Sequence, residues 1–539
     1  MISIDETSTI GETFLRAAEA YADHAFLAVP ANPARHYAAQ GSEMCYAEAE
    51  RAVRRLTACY QRAGYGLGHR VALMLENRLE HLLHKLAMNA LGICCVPLNP
   101  DHRPRELAYV VDHAKVDLVL FVDRVEALVR GGLALASHRP AALRLERFVE
   151  ELEAPLRRAD SIRPDAHTPA SVLYTSGTTG RPKGCVLSHG YELAVGAWYA
   201  SSGGLTALAE SAERFFNPLP LFHVNASVLS FFCAMLTGNC QVQTDRFQTA
   251  RWWTEVRESR ATVIHYLGVM VPMLMSAPMH PGERDHQVRF AIGAGVDPQR
   301  HAMFEQRFGF PLIEIWGMTE MVRAIIDNEA PRQVGTRAFG RVRPGIEARV
   351  VDGAESDVPD GVPGELLVRH SAVQPRCGFF SGYLDDDAAT AQAWRGDWFH
   401  TGDIVTRDAD GLLHFVERRK NIIRRSGENI AAAEVEALLQ SHPLVEEVAV
   451  VSVPDEMREE EVLACVVLRQ GVAGAAVARE LFDFCHGSLA YYKAPGWIGF
   501  ADAIPKTATQ KVQKHQIFPE GVDPRTMPGI IDLRGLKRR

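Results

Sequence analysis

Through the first 175 residues the apolar positions change period repeatedly. From Tyr46 to Ala63 they recur at helical spacing, Arg70 to Leu75 is a short apolar run ending at Glu76 and Asn77, and Leu79 to Leu91 is helical again. Ile93 to Leu98 then reads as a strand, Arg103 to His113 as a helix and Val116 to Val122 as an unbroken apolar strand. Wholly apolar strands alternating with helices predict a parallel sheet covered by helices, because such strands have no polar side to show to water. Ala136 to Thr168, with scattered Pro, Arg and Glu, carries little pattern and reads as a connector. Further strands are expected at Ser171 to Tyr174, Cys185 to Leu187 and Gly364 to Arg369, and Ala261 to Leu274 reads as a buried strand leading into a helix. Past Asn421 the pattern changes to strand and glycine loop (Ile422 to Ile430), helix (Ala432 to Gln440), two strands (Val445 to Val453, Val462 to Leu468) and helix (Ala475 to Leu489). The expected fold class is therefore α/β, with a large N-terminal domain of helix-covered sheets and a small α+β C-terminal domain.

A chain of 539 residues is too long for one ordinary core, which agrees with two domains. Apolar content of 47% with 23% charged residues is that of a soluble globular protein, and a net charge of -8 offers no basic footprint for nucleic acid. The ten cysteines form no CxxC pair and read as reduced thiols of a cytoplasmic protein. No signal-peptide pattern opens the chain, and no uncharged apolar run reaches the ~18 residues of a membrane span.

The densest chemistry lies between Leu173 and His189, Leu-Tyr-Thr-Ser-Gly-Thr-Thr-Gly-Arg-Pro-Lys-Gly-Cys-Val-Leu-Ser-His. Two apolar strands bracket small hydroxyl and glycine residues and a cation, Lys183. Glycines let backbone N–H groups converge, and the hydroxyls of Thr175, Ser176, Thr178 and Thr179 add donors, so the loop suits a phosphate chain. It is not a Walker A loop, since Lys183 follows Pro182 and no Ser or Thr comes after it. In Ile313 to Glu320 a strand delivers an aromatic plate, a glycine, a hydroxyl and a carboxylate. For a nucleotide site this means Trp316 beside a purine, Thr319 near phosphates and Glu320 holding Mg²⁺ through oxygen; Thr319 alone also reads as a helix cap. His223, at the end of the apolar strand in Asn217-Pro-Leu-Pro-Leu-Phe-His-Val-Asn225, is either a satisfied structural residue or a catalytic one. Phe290 to Asp297 runs a strand into a turn with two glycines, too few for a dinucleotide fingerprint. Asp403, at a strand end in Trp398-Phe-His-Thr-Gly-Asp403, is placed to accept both hydroxyls of a ribose. The charged run Phe415 to Asn421 is either a domain junction or a solvated linker.

Together these strings resemble the motifs of the adenylate-forming superfamily of acyl-CoA synthetases, luciferases and peptide-synthetase adenylation domains, over nearly the whole chain. The resemblance implies that Thr175, Ser176, Gly177, Thr178, Thr179 and Lys183 hold the phosphates of ATP and that Gly293, Ala294 and Gly295 lie against adenine. Trp316, Gly317, Thr319, Asp403 and Arg418 complete the nucleotide site, and Glu320 carries Mg²⁺. It places His223 at the mouth of an acyl pocket, with Asn225, Tyr266, Gly268, Val269, Met318 and Met321 as candidate lining. Lys420 becomes the hinge between domains 1–419 and 420–539, the second of them a mobile lid. Ser426, Gly427 and Glu428 become the loop beside which the pantetheine of CoA passes, and Lys511 the catalytic lysine that reaches the α-phosphate. Two departures stand out: Trp316 where the family usually has Tyr, and Gln510 where it usually has Gly. Within the family the chain is most similar to ligases of the crotonobetaine/carnitine-CoA type, and Arg323 is a candidate partner for a second substrate carboxylate or an exposed salt-bridging residue.

The implied reaction joins a small carboxylic acid to CoA at the expense of ATP, through an acyl-adenylate. Alternatives are a stand-alone adenylation enzyme that loads a carrier protein, and a nucleotide-binding regulator without catalysis. The identity of the acid, homodimer formation and acetylation of Lys511 are left open.

Overall fold

The computed structural model describes residues 1–175, 182–418, 422–469, 473–505, 512, 514, 517–519 and 521–538. In a seven-stranded sheet, Arg70–Met74, Cys94–Pro97, Leu118–Phe121 and Ala141–Arg144 run parallel, and Pro169–Thr175 joins the far side of Cys94–Pro97. The connector expected over Ala136 to Thr168 is corrected here, since Ala141–Arg144 is the edge strand of this sheet. Its half-exposed residues carry no clear alternation, so the sequence hides it. Helices with definite ends space these strands: Tyr46–Ala63 stops at Gly64 in the left-handed region (φ 94), and Pro104–Ala114 begins on a proline.

A second, fourteen-stranded sheet begins with parallel strands, among them Arg214–Asn217, Val263–Leu267, Phe290–Ala294 and Leu312–Trp316. It then turns antiparallel through Ile325–Ile326 and Ala338–Arg341 to Leu412–Arg418 and Trp398–Arg407. Asp403 consequently lies inside a strand, not at its end. His223 also departs from its expected setting, because the strand stops at Asn217. Pro218 and Pro220 have no N–H to give a ladder, and the chain turns so that the His223 N–H donates to Pro220 O.

The C-terminal residues form their own six-stranded sheet, with the hairpin Ile422–Arg425 and Glu428–Ala431, the long pair Val445–Asp455 and Glu459–Leu468, and Trp497–Phe500 in parallel. Helices Ala432–Gln440 and Ala475–Ser488 pack Val435, Leu439, Leu481 and Phe482 against Val450, Val462 and Val466 in a separate core. This smaller part rests on the larger through polar contacts: Asn99 Nδ2 donates to Tyr492 Oη (3.0 Å), Arg103 Nε to Leu489 O (2.9 Å) and Lys493 Nζ to Glu106 Oε1 (2.5 Å). Among the described residues no helix is long and apolar enough to cross a membrane. All ten cysteines are free thiols, and all but Cys45 and Cys377 are buried.

Candidate active site

Strands Pro169–Thr175 and Lys183–Ser188 form an antiparallel hairpin in which Thr175 and Lys183 face each other across the ladder. Ser176, Gly177, Thr178 and Thr179 lie outside the described residues, as do Lys420 and Lys511. The Lys183 ammonium sits 4.8 Å above the ring of Tyr383, a cation–π contact. Tyr383 pairs with Cys185 in the ladder, and its O–H donates to Glu320 Oε1 at 2.9 Å. One aromatic residue thus ties the cation of the phosphate-type loop to the carboxylate of the second motif. Glu320 is 9% exposed, and Cys185 Sγ lies 3.6 Å from its Oε1. Burial and the Glu320 charge push the Cys185 thiol up, so it stays protonated and unreactive. The Tyr191 O–H fixes the backbone next to Glu320 by donating to Thr319 O at 2.8 Å.

The glycine turn is built by close approach. A Cβ on Gly268 would stand 1.8 Å from Gly295 O, and one on Gly293 would stand 2.2 Å from Tyr266 O. Gly295 itself has φ +86. Behind the turn, Glu314 accepts from the N–H groups of Gly295 (3.0 Å) and Val296 (3.1 Å) and from the Tyr266 O–H (3.0 Å). Burial raises the Glu314 pKa while these three donors act against the rise. Tyr266, expected as pocket lining, is therefore a buried brace behind the turn. Glu314 was not singled out by the sequence reading, although a carboxylate within Leu312–Trp316, an otherwise apolar strand, was the available signal. Met321 also moves from lining to core: it is 5% exposed and bridges to Phe379. Met318 is only partly buried and packs against the main core, while Gly317 stays exposed.

Trp316 donates its indole N–H to Asp403 Oδ2 at 2.9 Å. Asp403 lies opposite Arg418 in the ladder. Arg323 packs over glycines, with Nε 2.8 Å from the place of a Cβ on Gly345 and Nη1 2.8 Å from that on Gly378.

On the acyl side His223 and Asn225 enter a turn of π-helix, Asn225–Ser230. The Leu219 N–H donates to Asn217 Oδ1, so the Asn217 amide must donate to Asn225 Oδ1 (3.0 Å), which also accepts from His265 Nδ1 (2.9 Å). Burial lowers the His265 pKa to about 3, so the ring is neutral and the network carries no charge there. Val269 caps the helix Met270–Ser276 beside Gly268.

The hairpin loop Ser426–Glu428 reaches this same place from the smaller part. Gly427 (φ +85) approaches so closely that a Cβ would stand 2.2 Å from Leu267 Cδ1. Glu428 Oε2 lies 3.6 Å from His223 Nε2. Burial works to raise the Glu428 pKa, but His223, Lys493 and His102 outweigh it and hold it below the ordinary value. Two cavities meet at Asn99, Phe222, Glu428 and Tyr492. One, of about 410 Å³, is lined by Thr175, Pro182, Thr319 and His223. The other, of about 750 Å³, is lined by Leu267, Val269, Met270, Ser426 and Arg458.

Comparison with known proteins decides the family. Residues 14–384 match the model of the AMP-binding enzymes, and residues 434–511 match that of the AMP-binding enzyme C-terminal domain. The chain belongs to the AMP-binding enzymes. A similar relative is the crotonobetaine/carnitine–CoA ligase of Proteus mirabilis (strain HI4320), 29% identical over 501 residues that cover 89% of this chain and 94% of the relative. Among solved structures, o-succinylbenzoate CoA synthetase from Bacillus subtilis bound with its product analogue has a TM-score of 0.80 at 22% identity, covering 95% of this chain and 98% of that one. The same enzyme with its acyl-adenylate intermediate gives 0.65. A malonyl-CoA ligase holding methylmalonyl-CoA and AMP gives 0.73 at 27% identity, covering 90% of this chain and 98% of the other.

Proposed function

We propose that this AMP-binding enzyme activates a small carboxylic acid with ATP as an acyl-adenylate and transfers the acyl group to CoA. The observation that carries the reading is that Thr175, at the end of the hairpin, Thr319, next to Glu320, and Glu428 line one cavity, while Ser426 and Leu267, the ladder partner of Ala294 in the glycine turn, line the cavity that meets it. In the first half-reaction the substrate carboxylate attacks the α-phosphorus and pyrophosphate leaves. Little covalent work falls to the protein, so positioning and charge neutralisation dominate. Thr175 to Thr179 and Lys183 would hold the leaving phosphates, Asp403 and Arg418 the ribose, and Lys511 would meet charge growing on the α-phosphoryl oxygens. Glu320, a buried carboxylate offering oxygen, fits Mg²⁺, which takes one or two carboxylates and substrate phosphates. When bound, the ion would neutralise charge on the phosphate oxygens. The donor set is otherwise sparse, for no group of three ligating side chains occurs among the described residues.

The second half-reaction needs the thiol to reach the adenylate. The larger cavity opens beside Ser426 and Leu267, and Glu428 lines both cavities. Lys420 is then the pivot, and Lys420→Pro should block thioester formation and spare adenylate formation.

The test incubates the purified chain with ATP, Mg²⁺ and CoA against aliphatic, aromatic, dicarboxylic and betaine-type acids, reading AMP and pyrophosphate. AMP formation dependent on one acid class and on CoA is expected, with Lys511→Ala slower by ~10² to 10³. Pyrophosphate without CoA consumption would favour transfer to a carrier protein, and ATP binding without pyrophosphate release from any acid would refute adenylation.

A further inference from the structure

The hydrogen bond between Trp316 and Asp403 joins two strands that are not neighbours. Ile325–Ile326, Ala338–Arg341 and Leu412–Arg418 lie between Leu312–Trp316 and Trp398–Arg407 in the sheet. Four inter-strand steps would separate the two strands by about 19 Å in a flat sheet, yet the indole N–H meets the carboxylate at 2.9 Å. The sheet therefore curls here, and the Trp316 ring spans the curl, tilted by 32° against Phe339 at 5.8 Å. Trp316 is 6% and Asp403 2% exposed, so water does not compete for this bond.

An aspartate's terminal torsion is broad and two-fold, which leaves the plane of a carboxylate poorly defined unless something grips it. A charge-assisted N–H to one oxygen supplies that grip. Phenylalanine at position 316 would keep an aromatic ring and lose the donor. A tyrosine would aim its O–H along the ring axis, whereas the indole N–H leaves from the side of the ring.

We propose that Trp316 is the positioning residue for the ribose-binding carboxylate: its indole N–H orients Asp403 to meet the 2′- and 3′-hydroxyls of the nucleotide. The inference rests on the adenylation reading and on ribose binding by Asp403. It divides Trp316 into two roles, a ring that packs and an N–H that acts on sugar recognition.

The experiment measures acid-dependent pyrophosphate exchange by the full chain with ATP, 2′-deoxy-ATP and 3′-deoxy-ATP, for the wild type and for Trp316→Phe and Trp316→Tyr. In Trp316→Phe the KM for ATP should rise about tenfold with kcat little changed, as expected for loss of a hydrogen bond to a charged group. The KM values for the deoxy nucleotides should move much less, so the preference for ATP shrinks. Trp316→Tyr should show the same loss. Each preference is a ratio within one preparation, so a smaller folded fraction cancels. A parallel rise of all three KM values, or an unchanged preference, overturns the proposal and leaves Trp316 as packing alone. A wild type that exchanges no pyrophosphate with any acid refutes the adenylation reading instead.

Discussion

Replacing Glu106 by Gln should slow the second half-reaction and spare the first. The Lys493 ammonium lies 2.5 Å from Glu106 Oε1 and 2.9 Å from Glu434 Oε1, with all three side chains at most 11% exposed. Glu106 belongs to the larger part, and Lys493 and Glu434 to the smaller. Burial acts to lower the Lys493 pKa, but the two carboxylates outweigh it and keep the ammonium charged. Glu106→Gln removes a charge whose ion pair with Lys493 exists only in the docked arrangement. Its one amide oxygen can accept from Lys493, which leaves the Arg103 N–H, capped at 2.8 Å by the other oxygen of Glu106, without that acceptor. A hydrogen bond between charged groups contributes ~1.5 to 3 kcal/mol. Glu106 also disfavours ionisation of Glu434, so its neutralisation relieves part of the loss and the lower figure applies. About 1.5 kcal/mol corresponds to roughly tenfold in the docking equilibrium. Acid-dependent pyrophosphate exchange should stay within twofold of wild type, while single-turnover transfer from preformed adenylate to CoA should fall about tenfold. Because the triad is buried, salt should change this ratio little. Equal losses in both assays would make Glu106 a stabiliser of the larger part, and no loss in either would mean that the triad does not govern docking.

Three further outcomes follow from the same geometry. Tyr383→Phe removes the O–H held by Glu320 but keeps the ring under Lys183, so pyrophosphate exchange should fall about tenfold and need more Mg²⁺; a normal Mg²⁺ titration would refute the link. Glu459 docks against Gly268 and Gly295 with φ +68, and its carboxyl is raised from 4.5 to about 7 by burial, opposed by Arg424, aided by Glu460, opposed by the Val269 N–H and aided by Glu314. The docked form thus holds its proton more tightly, so docking is strongest below pH 4.5, weakens as pH rises to about 7 and then levels. Transfer to CoA from preformed adenylate should decline across that window, and Glu459→Gln should flatten the decline. Alkylation under native conditions should label exposed Cys377 long before buried Cys185, whose thiol is held protonated; rapid labelling at Cys185 would contradict its burial.

What could be read in the sequence was what depends on near neighbours. The helix Tyr46–Ala63 and the strand Gly364–Arg369 fall where their patterns put them, because burial of a periodic face and a glycine stop are local facts. The paired strands around Lys183 and the strand leading to Trp316 were legible for the same reason. Tyr266 was not, because in Val263–Leu267 only His265 is polar and such a strand does not declare which face it turns to the pocket. The structure resolves the ambiguity through Glu314, 48 positions away, whose carboxylate needs the tyrosine O–H. The grip of Lys493 on Glu106 spans 387 positions and has no local signature. These unreadable contacts share one physical feature: each is a buried polar group whose partner is fixed by strand order, by sheet curvature or by docking of the two parts. An unpaired buried charge costs more than a lost surface contact, so such pairs select between arrangements of the chain more sharply than the motifs do. The motifs state which chemistry is present. The long-range pairs decide when its parts meet, and Lys493, Glu459 and Trp316 are where that decision can be tested.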